Sequence, residues 1–173
     1  YSFRSRDIIF YGFKTSFTNY ASVLLFYSDI FLIQYLTHNE VYISEYRTAT
    51  IIPFNLSFFA VLYLNNDFVF LVENKLNKTK IIEYLKNYTL LFSVFVVLVL
   101  IALFPFAEFW WNDVLFNGAY ISSVGYFKIL LFGTVAMILL RIPTGNLLSA
   151  IGKVHLNTII GYVTVCLNLI LSV

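Results

Sequence analysis

The stretch SVLLFYSDIFLIQYL, residues 22–36, sets one aspartate in the middle of an apolar run. A charged side chain deep in hydrocarbon costs about 3 kcal/mol or more, so such a residue normally faces protein or water and serves ion or substrate handling. Upstream lie Thr15, Thr18, Asn19 and Ser22, bordered by Lys14. Counting from Thr15 to Asp29, the steps are 3, 1, 3 and 7 residues, a spacing that keeps all five on one face of an α-helix. Asp29 therefore belongs to a polar surface about 22 Å long at 1.5 Å per residue. Three roles follow for it: a cavity or ion-coupling group alongside Asn19, Ser22 and Asn55, an ion-pair partner for Arg47, or a group with access to the nearby interface.

The same pattern recurs. Residues 42–71 carry Arg47, Thr48, Thr50, Asn55 and Ser57 around Pro53, and then Asn65, Asn66 and Asp67. Residues 122–149 carry Lys128, Thr134, Arg141, Thr144 and Asn146, with Gly133, Pro143 and Gly145. By contrast, TLLFSVFVVLVLIALF, residues 89–104, has no charge and is expected to face lipid. Striped helices beside a plain one suggest a bundle around a hydrated cavity; the competing reading is that Ser, Thr and Asn only join helices. Lys128 is expected to snorkel outwards. Arg141 either snorkels inwards or anchors a helix end.

The elements that must position these residues are transmembrane helices. Of 173 residues, 60% are hydrophobic and only 12% charged, and mean hydropathy is +0.83. A soluble domain of this size has too small a core to hide that apolar surface. The fold class is all-α: an integral membrane helix bundle of about five crossings, at about residues 8–36, 42–71, 89–109, 122–149 and 156–173. The chain reads as one contiguous bundle and, opening on Tyr1, as a piece of a longer protein. Within VENKLNKTKIIEYLKNY, residues 72–88, the spacing of Leu76, Ile81, Ile82 and Leu85 fits a short helix lying among headgroups or a solvated loop helix. Around Glu108 and Asp113, Trp110 and Trp111 read as interfacial aromatics.

The distribution of the 11 basic residues sets the orientation. With the N-terminus cytoplasmic, the inner side receives Arg4, Arg6, Lys14, Lys75, Lys78, Lys80, Lys86, Arg141 and Lys153, and the outer side Arg47 and Lys128. A net charge of +2 gives no support to nucleic-acid binding. Cys166 is the only cysteine, and His38 and His155 have no ligand-spaced companion, so no metal site or cofactor is expected. The three Asn-X-Ser/Thr matches, at Asn55, Asn77 and Asn87, fall in the membrane or on the inner side and are chance.

The run RDIIFYGFKTSFTNYASVLLFYSDIFLIQYLTHNEVYISEYRTATII resembles the helix pair that opens a lobe in bacterial polysaccharide flippases of the multidrug/oligosaccharidyl-lipid/polysaccharide exporter superfamily. Asp29 stands at the family's aspartate and Tyr42 or Tyr46 at its tyrosine. In LLSAIGKVHLNTIIGYVTVCLNLILSV, Gly152, Lys153 and Asn168 match the small-residue turn and the asparagine of the following helix. The chain departs from the pattern at LNND, residues 64–67, where the family often has proline.

The resemblance implies part of the second lobe of a two-lobe transporter in the bacterial cytoplasmic membrane. Its implied cargo is a lipid-linked oligosaccharide of the undecaprenyl-pyrophosphate type, moved from the inner to the outer leaflet. Lys14, Arg47 and Arg141 are then candidates to offset the pyrophosphate charge, and Asp29 to take a coupling H+ or Na+. Membrane lipids and other polysaccharide-assembly proteins are the further partners it implies. The alternatives are a multidrug or cation exporter of the same superfamily and a membrane polysaccharide polymerase or ligase. The enzyme reading normally calls for a large outer loop, and the longest outer connection here has about a dozen residues.

Overall fold

The computed structural model describes residues 5–171; within the first helix, and at the last described residue, the side chains of residues 5–8, 10, 11, 14, 15, 18, 19, 22, 25, 26 and 171 lie outside the description. All regular structure among the described residues is helical: α1 (Ser5–Thr37), α2 (Glu40–Asn66), α3 (Phe68–Glu73), α4 (Lys78–Leu103), α5 (Ala107–Phe109), α6 (Ser123–Ala136), α7 (Ile142–Ala150) and α8 (Val154–Leu171). Wider π-type turns follow α5, at Trp110–Leu115, and join α6 to α7, at Met137–Arg141. Among the described residues, three helices are long and apolar enough to cross a membrane: Glu40–Asn66, Lys78–Leu103 and the continuous Ser123–Ala150. Val154–Ile170 is apolar but shorter.

Local chemistry sets the boundaries. Asn39 caps α2 by accepting from the Val41 N–H at 2.9 Å, and His38 turns the chain at φ +48. Asp67 breaks the segment expected to run to residue 71, its N–H bonding back to the Tyr63 carbonyl, and α3 starts afresh beyond it. Asn77 accepts from the Lys80 N–H at 3.2 Å and starts α4 about three turns earlier than expected. The separate helix expected within residues 72–88 is thus mostly the beginning of α4. It is held in line because Ile81 packs with Leu71 and Ala150, and Tyr88 is buried below it.

Two layers of packing hold α2, α4 and the α6–α7 helix. In one, Ala60 and Leu64 of α2 meet Tyr88, Phe92 and Val96 of α4 and Ile138 and Ile142. In the other, Ala49 of α2 meets Trp111, Val124, Phe127 and Leu131. Trp111 is therefore a core residue rather than an interfacial one. Its ring lies 4.5 Å from Phe127, and its indole N–H donates to the Ser123 hydroxyl at 2.6 Å. The helix expected to face lipid is partly core: Tyr88, Phe92 and Val96 are buried, while Leu90, Val94, Leu98 and Ile101 are exposed.

α1 and α8 form a second unit, running in the same direction. They approach closely at Ala21 and Gly161, where a Cβ on the glycine would stand 2.9 Å from the Ala21 Cβ. Small residues permit such closeness where the hydrophobic effect supplies no drive between helices. The bundle ends differ in charge. Lys75, Lys78, Lys80 and Lys153 gather at the α3–α4 and α7–α8 end, with Glu40, Glu108 and Asp113 at the other.

Candidate functional site

Most polar side chains within the helices bond back to their own helix. Thr48 donates to the Ser44 carbonyl, Thr50 to Arg47, Ser57 to Phe54, Thr134 to Leu130, and Asn146 to Ile142. Such back-bonding satisfies the hydroxyl or amide without a neighbour. The stripes legible in the sequence are thereby divided: among the described residues, some members bond within their own helix and others link one helix to another.

Asp29 is the clearest of those. The Tyr46 hydroxyl donates to its Oδ2 at 2.7 Å, and the Asn168 amide donates to its Oδ1 at 2.6 Å. Asn168 also donates to the hydroxyl of Ser28 at 3.2 Å. One half-buried carboxylate therefore joins α1, α2 and α8. The tight turn after Thr37 makes this possible. Asp29 lies about 12 Å before the end of α1 and Tyr46 about 9 Å into α2, so the two come level. Both contacts lie within hydrogen-bonding distance, so the carboxylate accepts one bond on each oxygen. The neighbouring residue extends the linkage: Glu45 accepts from the Ser122 hydroxyl, at the start of α6, and Tyr46 meets the edge of Tyr126, ring centroids 6.5 Å apart.

Beside this cluster an open groove of about 900 Å³ runs between α1 and α2. Tyr27, Phe31 and Gln34 line one side, and Glu40, Arg47 and Ile51 the other. Arg47 is exposed on the groove wall, and the carboxylate oxygens of Asp29 are taken by Tyr46 and Asn168. The pairing of Asp29 with Arg47 is not formed: consecutive helical residues diverge by about 100°, and Tyr46 is the one aligned with Asp29. Among the described residues the ion pair within 4 Å joins Lys128 to Glu108, at 3.7 Å, with the Lys128 ammonium 5.7 Å from the Phe104 ring.

The other expected residues lie elsewhere. Asn55 is exposed two turns beyond Arg47 on the same helix face, its amide bonded to the Ile51 carbonyl at 2.7 Å. It is not brought to Asp29. Arg141 lies near the opposite end of the bundle and donates to Asn157 Oδ1 of α8 at 2.8 Å. The side chains of Lys14, Asn19 and Ser22, with those of Thr15 and Thr18, lie outside the described residues.

Reading residue types along single helices missed Asn157, the Tyr84–Asp67 contact and the role of Tyr88. Tyr46 and Asn168 were signalled only by the resemblance, as matched positions without a role. No family model, curated protein or solved structure matches this chain.

Proposed function

We propose that this chain is part of a multi-pass transporter in which Asp29 is the coupling group and the α1–α2 groove receives the cargo's head group. The observation that carries the reading is the carboxylate shared by Tyr46 and Asn168, because it makes the union of three helices depend on one acidic group. Binding H+ or Na+ at Asp29 removes or redirects the charge that strengthens both bonds. α1 and α8 then loosen together from α2, and the groove between α1 and α2 widens.

Taken with the resemblance, the cargo is a lipid-linked oligosaccharide, moved from the inner to the outer leaflet of a bacterial cytoplasmic membrane. Arg47 on the groove wall supplies a guanidinium for the pyrophosphate, and the polyprenyl tail stays in lipid. The lysine-rich end is cytoplasmic in this reading, as the positive-inside rule requires. A second reading, export of a small organic cation, is favoured by Tyr27, Phe31 and Glu40 on the same groove, since aromatic faces and a carboxylate attract cations.

The deciding experiment uses cells lacking the full-length gene, asking on which leaflet lipid-linked oligosaccharide accumulates. Accumulation on the inner leaflet, cured by wild type and not by Asp29→Asn, is the expected result. Single units stranded on the outer leaflet would reject the flippase, and restored drug efflux without a change in glycan lipid would favour the cation exporter.

A further inference from the structure

The helix Ser123–Ala150 is continuous but not uniformly wound. In the wide turn Met137–Arg141, the Ile142 N–H bonds to the carbonyl of Met137, five residues back. Regular α winding would have given that donor to Ile138. The next donor, which the wide turn would bring to Ile138, belongs to residue 143, and Pro143 has no N–H. The Ile138 carbonyl has thus lost both of its helical donors, in a residue only 2% exposed. Its bond comes from another helix. The Tyr88 hydroxyl of α4 donates to it at 2.7 Å, from a fully buried side chain packed on Phe92 at 4.5 Å between ring centroids.

The wide turn also places Arg141, its last residue. The guanidinium passes over Gly145, where a Cβ would stand 2.7 Å from its nitrogen, and reaches Asn157 on α8. The winding at residues 137–141, the proline, the missing Cβ and the link to α8 therefore form one arrangement.

We propose that residues 137–145 are a hinge with two winding states, and that the Tyr88 hydroxyl holds it in the wide one. When Tyr88 withdraws, Ile138 regains its donor by taking the Ile142 N–H back from Met137. The turn then closes towards α winding. Closing it slips one side of the helix against the other by a single residue, roughly 100° and 1.5 Å. Arg141 leaves Gly145 and Asn157, and α7 with α8 moves relative to α6. π-type turns often mark functional sites in this way. The inference concerns winding alone and stands apart from any reading of the cargo.

The test is pulsed electron-spin distance measurement on the full-length protein in lipid nanodiscs, with Cys166→Ser and spin labels at Ile129→Cys on α6 and Ile159→Cys on α8. Both labelled positions are exposed. Tyr88→Phe is expected to add or enlarge a second distance population. Pro143→Ala, which removes the ring that opposes α winding, is expected to shift the distribution the same way, and it keeps the test alive should Tyr88→Phe fail to fold. Phe92→Leu, which loosens the same core without touching the hydrogen bond, is expected to leave the distribution unchanged. One unchanged distance in Pro143→Ala, or a shift with Phe92→Leu equal to that with Tyr88→Phe, would overturn the hinge.

Discussion

The Tyr84 hydroxyl donates to Oδ2 of Asp67 at 3.0 Å, fastening the start of α4 to the end of α2. At the other end of α2, Tyr46 makes the same bond to Asp29, and in each pair tyrosine follows aspartate by 17 residues. Tyr46 and Asp67 lie roughly 32 Å apart along the helix, about the thickness of a hydrocarbon core. α2 is therefore tied to its neighbours by a tyrosine–carboxylate bond at each end. The two ends are not equivalent, because Asp29 also holds α8 through Asn168.

That difference predicts different consequences for the same substitution. Tyr46→Phe and Tyr84→Phe each remove a bond to a carboxylate, worth about 1.5–3 kcal/mol when shielded and nearer 1 kcal/mol at these part-exposed positions. At this separation the two losses are expected to add to within about 0.5 kcal/mol in the double variant. Unfolding in mixed detergent measures this, and coupling above about 1 kcal/mol would show that the ends communicate. If the proposed transport reading holds, activity is expected to fall with Tyr46→Phe and to persist with Tyr84→Phe.

Gly145 tests the path of Arg141. A methyl group there meets the mobile end of the arginine, 2.7 Å away, so the guanidinium moves and the backbone does not. Asn157, 8% exposed, then loses its partner. The expected cost of Gly145→Ala is about 1–3 kcal/mol, the range for leaving a buried polar group unsatisfied. Once Arg141→Ala is in place, adding Gly145→Ala is expected to cost almost nothing. Additive losses in that cycle would place the role of Gly145 in the backbone instead.

The sequence carried the helices well because length and apolar composition are local properties. It carried Asp29 as well, because a carboxylate within an apolar run is conspicuous by itself. What it concealed depends on which helices meet. Thr48 and Asn168 are equally polar on paper, yet one bonds within its own helix and the other across the bundle. Trp111 sits beside Asn112 and Asp113 and so resembles an interfacial residue, while its burial comes from Phe127 and Ser123, more than ten residues away. The wide winding at Met137–Arg141 that frees the Ile138 carbonyl had no local signal, and nothing local pointed to Tyr88, 50 residues earlier, as the group that satisfies it.

Gly161 predicts how tightly α1 and α8 are joined. The approaching atom is the Ala21 Cβ, 2.9 Å from where a new Cβ would stand, and neither has a torsion that can relieve the clash. Gly161→Ala must push the helices apart, with an expected loss of about 1–3 kcal/mol as for other overpacked cores. Ala21→Gly in the same molecule is expected to recover most of it. Failure of that rescue would mean that the glycine is needed for its own conformation and not for the closeness of the pair.

Orientation is open to a direct test that spares the helix caps. Asn39 and Asn77 stand at the two ends of the α2–α3 segment, but both cap helices, and replacing a cap costs about 1 kcal/mol. Their neighbours Val41 and Leu76 are 59% and 91% exposed and accept cysteine without that loss. In a Cys166→Ser background, an impermeant thiol reagent added to intact cells is expected to label Val41→Cys. Leu76→Cys is expected to react only after the membrane is opened. α2 is 27 residues long, about 40 Å, so labelling of both positions from outside would mean that it does not cross the membrane at all. Labelling of Leu76→Cys alone would invert the bundle and put its lysine-rich end outside, against the charge rule on which the proposed orientation rests.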